Sequence, residues 1–295
     1  MGKDNAMQLQ MDKEKVTGGI RARRVVANVV LVLICLLCLI WFYLLFINAS
    51  RSRADLSMGS FRILPGNYFF KNFYNLMHNS SLTIWRGMLN SIIISGGTAV
   101  LCTYFSTLSA YAIHAYDFRL KGVIFTFILL IMTIPTQVSA LGFIKLMRVV
   151  HLTDTFVPLI VPSIAAPVTF FYMKQYMDST LPLSIIEAAR IDGSGEFKTF
   201  NTIVLPMMKP AIAVQAIFTF VGSWNNYFTP ALILKSEENK TLPILIAKLR
   251  SADFLKFDMG QVYMMILLSI FPVIVVYLAL SKFIVGGVAL GSVKG

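Results

Sequence analysis

A bilayer admits an α-helix only where about 20 consecutive residues are mostly apolar. Six stretches of this chain meet that condition: 26–47, 89–112, 123–144, 156–174, 211–234 and 262–283. In lipid, backbone N–H and C=O groups must be satisfied within a helix or a closed barrel. Six such stretches joined by polar connections therefore predict an all-α integral membrane protein with six transmembrane helices. Composition agrees: 57% of the 295 residues are apolar types and 14% are charged, where soluble domains carry about 25% charged residues. Mean hydropathy is +0.72. The first stretch exceeds the ~7–15 apolar residues of a secretory signal and no A-x-A site follows it, so it reads as a retained helix.

The net charge of +12 would suggest nucleic acid in a soluble protein. Here the basic residues flank apolar spans, where they meet anionic headgroups, and no nucleic-acid-binding motif accompanies them. Membrane lipid, not nucleic acid, is the implied partner. With the N-terminus inside, Lys and Arg divide 14 inside to 12 outside, a balance that sets no orientation. Arg21, Arg23 and Arg24 stand just before the first span, and on that local signal both termini are expected in the cytoplasm. The chain then reads as a basic tail over 1–25, a first helix over 26–47, an extracytoplasmic loop over 48–84, a five-helix domain over 85–283 and a cytoplasmic tail over 284–295. The first loop contains a turn signal at Pro65-Gly66. Its "NYFFKNFYNLM" has the aromatic spacing of a short amphipathic helix suited to a membrane surface. Segment 174–210 falls on the cytoplasmic side and 235–261 forms a polar outer loop.

Cys35 and Cys38 make a C-x-x-C inside an apolar run and read as membrane-facing or packing residues. His78, His114 and His151 are far apart, without a second ligand at helical spacing, so no metal is expected, and no other cofactor motif is visible. None of the six spans carries an ionisable residue in its central stretch. Proton-coupled carriers usually need one buried in the bundle, so proton coupling within this chain is not expected; sodium coupling through neutral oxygens stays open, and the energy for any transport is expected from another subunit. Uncharged polar groups do occur. The fifth span contains "GSWNNYFTPALI", with Trp224, Asn225, Asn226 and Tyr227 ahead of a kink expected at Pro230. "TIPTQ" places Gln137 at a break near Pro135, and Asn90 and Ser91 lie near the start of the second span. Amides in hydrocarbon are costly without partners, so these groups are either interhelical glue or the lining of a route for a hydroxylated solute.

The polar stretch "EAARIDGSGEFKTFNTIVLP", Glu187 to Pro206, interrupts the apolar pattern. Ser184 and Glu187 fit a capping box, with Pro182 as an alternative start signal. Leu183, Ile186, Ala189 and Arg190 follow helical spacing, Ala188 and Ala189 leave room for a close neighbour, and Gly193 can end the helix in the left-handed conformation. A second helix is expected after Ser194-Gly195. Lys198-Thr199 mimics the end of a P-loop, but Phe197 and Asp192 stand where glycines are required, which excludes nucleotide binding by this chain.

The stretch resembles the EAA motif of ABC importer permeases: Glu187, Ala188 and Ala189, Gly193 four residues on, then Ile203, Leu205 and Pro206. "IPTQV", "WNNYFTPALI" and the tail "FIVGGVALGSVKG" are similar to segments of the carbohydrate subfamily, in particular the second permease subunit of maltose-type importers. The resemblance covers about residues 60–295. It implies a type I ABC importer permease fold, with the ABC transmembrane type-1 domain over 85–283. It also implies a coupling helix in which Glu187, Ala188, Ala189, Arg190, Asp192 and Gly193 dock a cytoplasmic ATPase. The implied partners are a second, homologous permease forming a heterodimer, two ATPase subunits and an extracytoplasmic solute-binding protein delivering a sugar. The chain would be a non-catalytic, multi-pass subunit of a bacterial plasma membrane, with Trp224, Asn225, Asn226, Tyr227 and Gln137 as candidate path residues. Where many relatives have an acidic residue and a Trp in the fifth span, this chain has Asn226 and Thr229, so that span assigns no substrate. The alternatives are an ABC permease for a non-sugar solute and a self-contained secondary carrier.

Overall fold

The computed structural model describes residues 2–80, 82–251 and 258–291. Among them the regular structure is entirely helical. The chain divides into two compact units, Met1–Leu76 with Asp258–Leu267, and Met77–Phe257 with Leu268–Gly295.

In the first unit, α1 (Gly2–Ala49) contains the apolar span Arg23–Ala49. Its side chains from Val25 to Phe42 are exposed in the isolated chain, as expected of a helix apolar all round whose solvent is lipid. Only its end packs. Ile47 and Ala49 are buried, and the Asn72 amide donates to the carbonyls of Ala49 (2.9 Å) and Arg51 (2.8 Å), groups the helix end leaves unpaired. After the short α2 (Arg53–Ser57), Gly66 N donates to Ser50 Oγ at 2.8 Å. A Cβ on Gly66 would lie 2.6 Å from the Ser50 carbonyl oxygen. The glycine thus serves a close approach, not the expected turn at Pro65-Gly66. The amphipathic helix forms as α3 (Phe69–Met77), with Asn72 and Leu76 inward and Phe70 and Tyr74 outward.

The second unit is built around α4 (Ile84–Ala115), whose 32 residues run about 48 Å. Small and hydroxylated side chains line its inner face: Ser91, Ser95, Ala99, Thr103, Ser106, Thr107 and Ala110 are buried. Such residues let membrane helices approach closely, where dispersion rather than a hydrophobic drive holds them. The third expected span is broken, into α5 (Lys121–Ile131) and α6 (Thr136–Val149). The break ends at Pro135, which pushes Ile134 out of helical geometry. Eleven residues of α5 reach about 16 Å, short of a bilayer core of about 30 Å. After α7 (Val157–Ile160), a 3₁₀ turn leads to α8 (Pro167–Thr180). The polar segment then forms α9 (Leu183–Ile191) and α10 (Glu196–Thr199), followed by a π-helical turn over Phe200–Val204 and α11 (Leu205–Met207).

The chain bends by 80° before α12 (Lys209–Trp224), with Pro206 and Pro210 on either side and the π turn just before. The kink expected at Pro230 lies earlier, at Asn225–Tyr227. Pro230 is the third residue of α13 (Phe228–Ile233), a first turn that needs no proline N–H. A 3₁₀ turn over Glu237–Asn239 and α14 (Leu242–Arg250) precede α15 (Met259–Gly291). Among the described residues, four helices are long and apolar enough to span, five if the bent pair counts as one. The expected six rests on the broken third stretch as well; the side chains of residues 1–22 and 285–291, and residues 252–257 and 292–295, lie outside the described residues.

Candidate functional site

The EAA stretch is held by backbone geometry at both ends of α9. Its N-terminal boundary is Pro182, in extended geometry (ψ 137°), and no side chain caps the helix. The expected capping box of Ser184 and Glu187 does not form, because Pro182 excludes Leu181 from helical conformation and leaves Ser184 already inside the first turn. At the other end Gly193 takes φ +74°. Gly193 N donates to the Arg190 carbonyl (3.0 Å) and Ser194 N to the Ala189 carbonyl (2.9 Å), the paired bonds of a Schellman end. No atom would meet a Cβ on Gly193, so the demand is conformational rather than steric.

The two faces of α9 differ. Ile186 and Ala189 are buried, Ile186 in an apolar core with Tyr111, Phe170, Met173, Met177 and Phe200. Of the expected docking residues, Ala189 therefore faces its own chain. Glu187, Ala188, Arg190, Asp192 and Gly193 are exposed. Leu183 (47%), Ile191 (85%) and Phe197 (71%) join them as exposed apolar groups. Leu183 and Ile191 share a face with Glu187 at spacing four, the one pattern from which they could have been read.

A charged clamp ties the stretch to α4. Glu196 accepts from Arg190 Nε at 2.7 Å and from the Tyr111 hydroxyl at 2.7 Å. The Arg190 guanidinium lies over the Tyr116 ring at 5.2 Å. Arg190, opposed by burial and reinforced by Tyr111, pulls the Glu196 carboxyl down to about 2. Beside the clamp, His114 meets Asp178 through Nδ1 (2.8 Å) and the Leu181 carbonyl through Nε2 (2.9 Å). Arg190 thus has an intramolecular role that its place in the motif does not reveal.

The other end of α4 holds the loop after α13. Asn90 Nδ2 donates to the carbonyls of Glu238 (2.8 Å) and Lys240 (3.0 Å), and Ser91 Oγ accepts from Leu242 N at 2.8 Å. A Cβ on Gly87 would lie 2.5 Å from Leu245 Cδ1, so α14 sits against a glycine gap. Asp154, itself at φ 62°, accepts from the amides of Lys235 (2.8 Å) and Ser236 (3.1 Å). Burial pushes its carboxyl up, but these donors outweigh that and hold it below the ordinary range. Asn90 and Ser91 are thus structural fasteners rather than path lining.

The polar groups of the fifth stretch separate. Trp224 is buried and stacks on Phe220, with ring centroids 5.7 Å apart. Asn225, Asn226 and Tyr227 are exposed at the break, and Asn226 Oδ1 accepts from Thr229 N at 3.3 Å. Gln137 is exposed in the first turn of α6.

The family described as binding-protein-dependent transport system inner membrane component matches residues 108–286. The chain is 35% identical over 225 residues to the arabinooligosaccharides transport system permease protein AraQ of Bacillus subtilis (strain 168), covering 75% of this chain and 78% of AraQ. It is 31% identical over 256 residues to the melibiose/raffinose/stachyose import permease protein MelC of the same strain, covering 86% and 91%. Among solved structures, it resembles a chain of a bacterial ABC transporter involved in import of the acidic polysaccharide alginate. The TM-score is 0.74 at 24% identity, with 89% of this chain and 97% of the other covered.

Proposed function

The chain belongs to the family of binding-protein-dependent transport system inner membrane components, and from that premise we propose that it forms half of the translocation path of an ATP-driven sugar importer. It is a multi-pass plasma-membrane permease subunit and acts with an ATPase and a solute-binding protein. The relatives named for arabinooligosaccharides and for melibiose, raffinose and stachyose support an oligosaccharide as its solute.

One observation carries the mechanism: α9 presents Leu183, Glu187, Ala188 and Ile191 outward while Ile186 and Ala189 seat it on the core and Glu196 clamps it to α4. In our reading α9 is a coupling helix on the cytoplasmic side, seated in a groove of an ATPase subunit. Glu187, Ala188 and Gly193 act there, with Arg190 serving the clamp and Asp192 the turn. Closure of an ATPase dimer would move α9, and the clamp would pass that movement to α4 as a rigid body. The opposite end of α4 holds the loop where a binding protein would sit. A homologous permease completes the path, and Asn225, Asn226 and Tyr227 offer amide and aromatic groups to a hydroxylated solute. Hydrolysis belongs to the two ATPase subunits, not to this chain.

The test is cysteine cross-linking from Ala188→Cys in inside-out vesicles of the assembled importer. A cross-link to the ATPase that ATP strengthens or weakens supports the docking role. Equal cross-linking from buried Ala189→Cys, or none from Ala188→Cys, contradicts it.

A further inference from the structure

Among the described residues, Arg51 is a buried cation without a carboxylate at ion-pair distance. Only 4% of it is exposed, directly beyond the apolar span Arg23–Ala49. Its guanidinium reaches the Asn48 side-chain oxygen (3.4 Å), the Asp55 carbonyl (2.9 Å) and Ser60 Oγ (2.7 Å), all neutral acceptors. Its Nε is buried and has no acceptor. Among the described residues, no carboxylate lies within 4.0 Å of it. Asp55 feels both arginines, but its oxygens are engaged by Ser52 Oγ (2.8 Å) and by Arg62 (3.3 Å).

A buried charge in that condition is strongly unfavourable unless an anion joins it. The space for one is present. Leu44, Asn48, Arg51, Ser60, Arg62 and Tyr263 line much of a cavity of about 250 Å³. The loop forms its wall: Gly59 turns at φ +64°, and Tyr43 Oη donates to the Ile63 carbonyl at 2.7 Å, holding the loop against α1. Two arginines and no acidic residue face the cavity. Guanidinium groups present a planar fork that matches phosphate oxygens, and the cavity stands at a span's end, the level at which headgroup phosphates lie.

We infer that this cavity binds a phosphoryl anion through Arg51 and Arg62, the source being the headgroup of an anionic phospholipid or inorganic phosphate. The site stands independently of the transport reading. To test it, the whole importer is purified into nanodiscs of phosphatidylcholine with and without phosphatidylglycerol, and retained lipids are measured by native mass spectrometry. A delipidated sample is titrated with inorganic phosphate and its melting followed.

Wild type should retain phosphatidylglycerol, and Arg62→Ala should lower retention roughly tenfold. Arg62 is half exposed, so this variant is expected to fold even if Arg51→Gln does not. Arg51→Lys, which keeps charge but loses the fork, should fall between. Phosphatidylglycerol retention that responds to the variants identifies a lipid headgroup. Phosphate-induced stabilisation that responds to them, with lipid retention unchanged, identifies the free anion. Equal behaviour of wild type and Arg62→Ala toward both probes overturns the site.

Discussion

At Gly193 the backbone holds φ +74° with open space around the Cα, so a side chain there strains the main chain without striking a neighbour. Gly193→Val should cost about 1–2 kcal/mol of local helix-end stability. It should abolish binding-protein-stimulated ATP hydrolysis while leaving the amount of chain in the membrane unchanged; Gly193→Asn, which tolerates left-handed geometry, should retain much of it. Glu196 holds the other side of the same turn by charge. Its carboxyl sits at about 2, against an ordinary 4.5, mainly through Arg190. A depressed carboxylate favours the folded form above the unfolded value, and that contribution fades as pH falls from 4.5 toward 2. Both partners are more than a third exposed, so solvent screens the pair and its effect is modest. Exchange protection of the α9 amides, corrected for intrinsic rates, should therefore hold from pH 7 to pH 5. In Glu196→Gln it should be reduced throughout that range. Equal protection in the two proteins would remove the clamp from the account. Gly193 was legible in the sequence because its role depends on four neighbouring residues. The Tyr111–Glu196 contact spans 85 positions and was not.

Among the described elements, α4 is tied at both ends, to the EAA stretch by Tyr111, to the residues just before α9 by His114, and to the loop after α13 by Asn90 and Ser91. Ser91→Ala strands the buried Leu242 N–H, a loss of about 1–3 kcal/mol. Proteolysis within 235–250 should then accelerate roughly tenfold or more. Basal ATP hydrolysis should be unchanged and its stimulation by binding protein reduced. Unchanged cleavage would show that the loop is held by other contacts. At the break after α12, Asn226→Leu removes an exposed acceptor for Thr229 N, a bond of about 0.5–1.5 kcal/mol. Uptake should drop while assembly persists, and Asn226→Asp should restore the acceptor; uptake unaffected by Asn226→Leu would leave the residue without a role in the path. Long uniform spans such as α1 were readable because lipid alone decides their composition. The interruptions at 132–135 and 225–227 were only partly so. Proline marks both neighbourhoods, but it does not fix on which side the helix breaks: Pro135 ends the first break, while Pro230 sits in the first turn of α13, after the second, where its missing N–H costs nothing.

For the molecule as a whole, family membership shows a transport-system permease subunit, and under the function proposed above α9 would couple it to an energy source in another chain. The spans' lack of central ionisable residues argues against a self-contained proton carrier. Fold class, membrane location and the EAA motif were all readable from local pattern. The division of labour within the motif was not: Ala189 faces inward, Arg190 forms the clamp, and Leu183, Ile191 and Phe197 extend the exposed face. Burial is settled only when distant helices close on one another. The most direct test of the central claim is to purify the tagged chain from native membranes and assay what accompanies it. A second permease and an ATPase should co-purify, with hydrolysis stimulated by a sugar-loaded binding protein and lost in Gly193→Val. A chain that purifies alone and, when reconstituted, moves solute without ATP would contradict the claim.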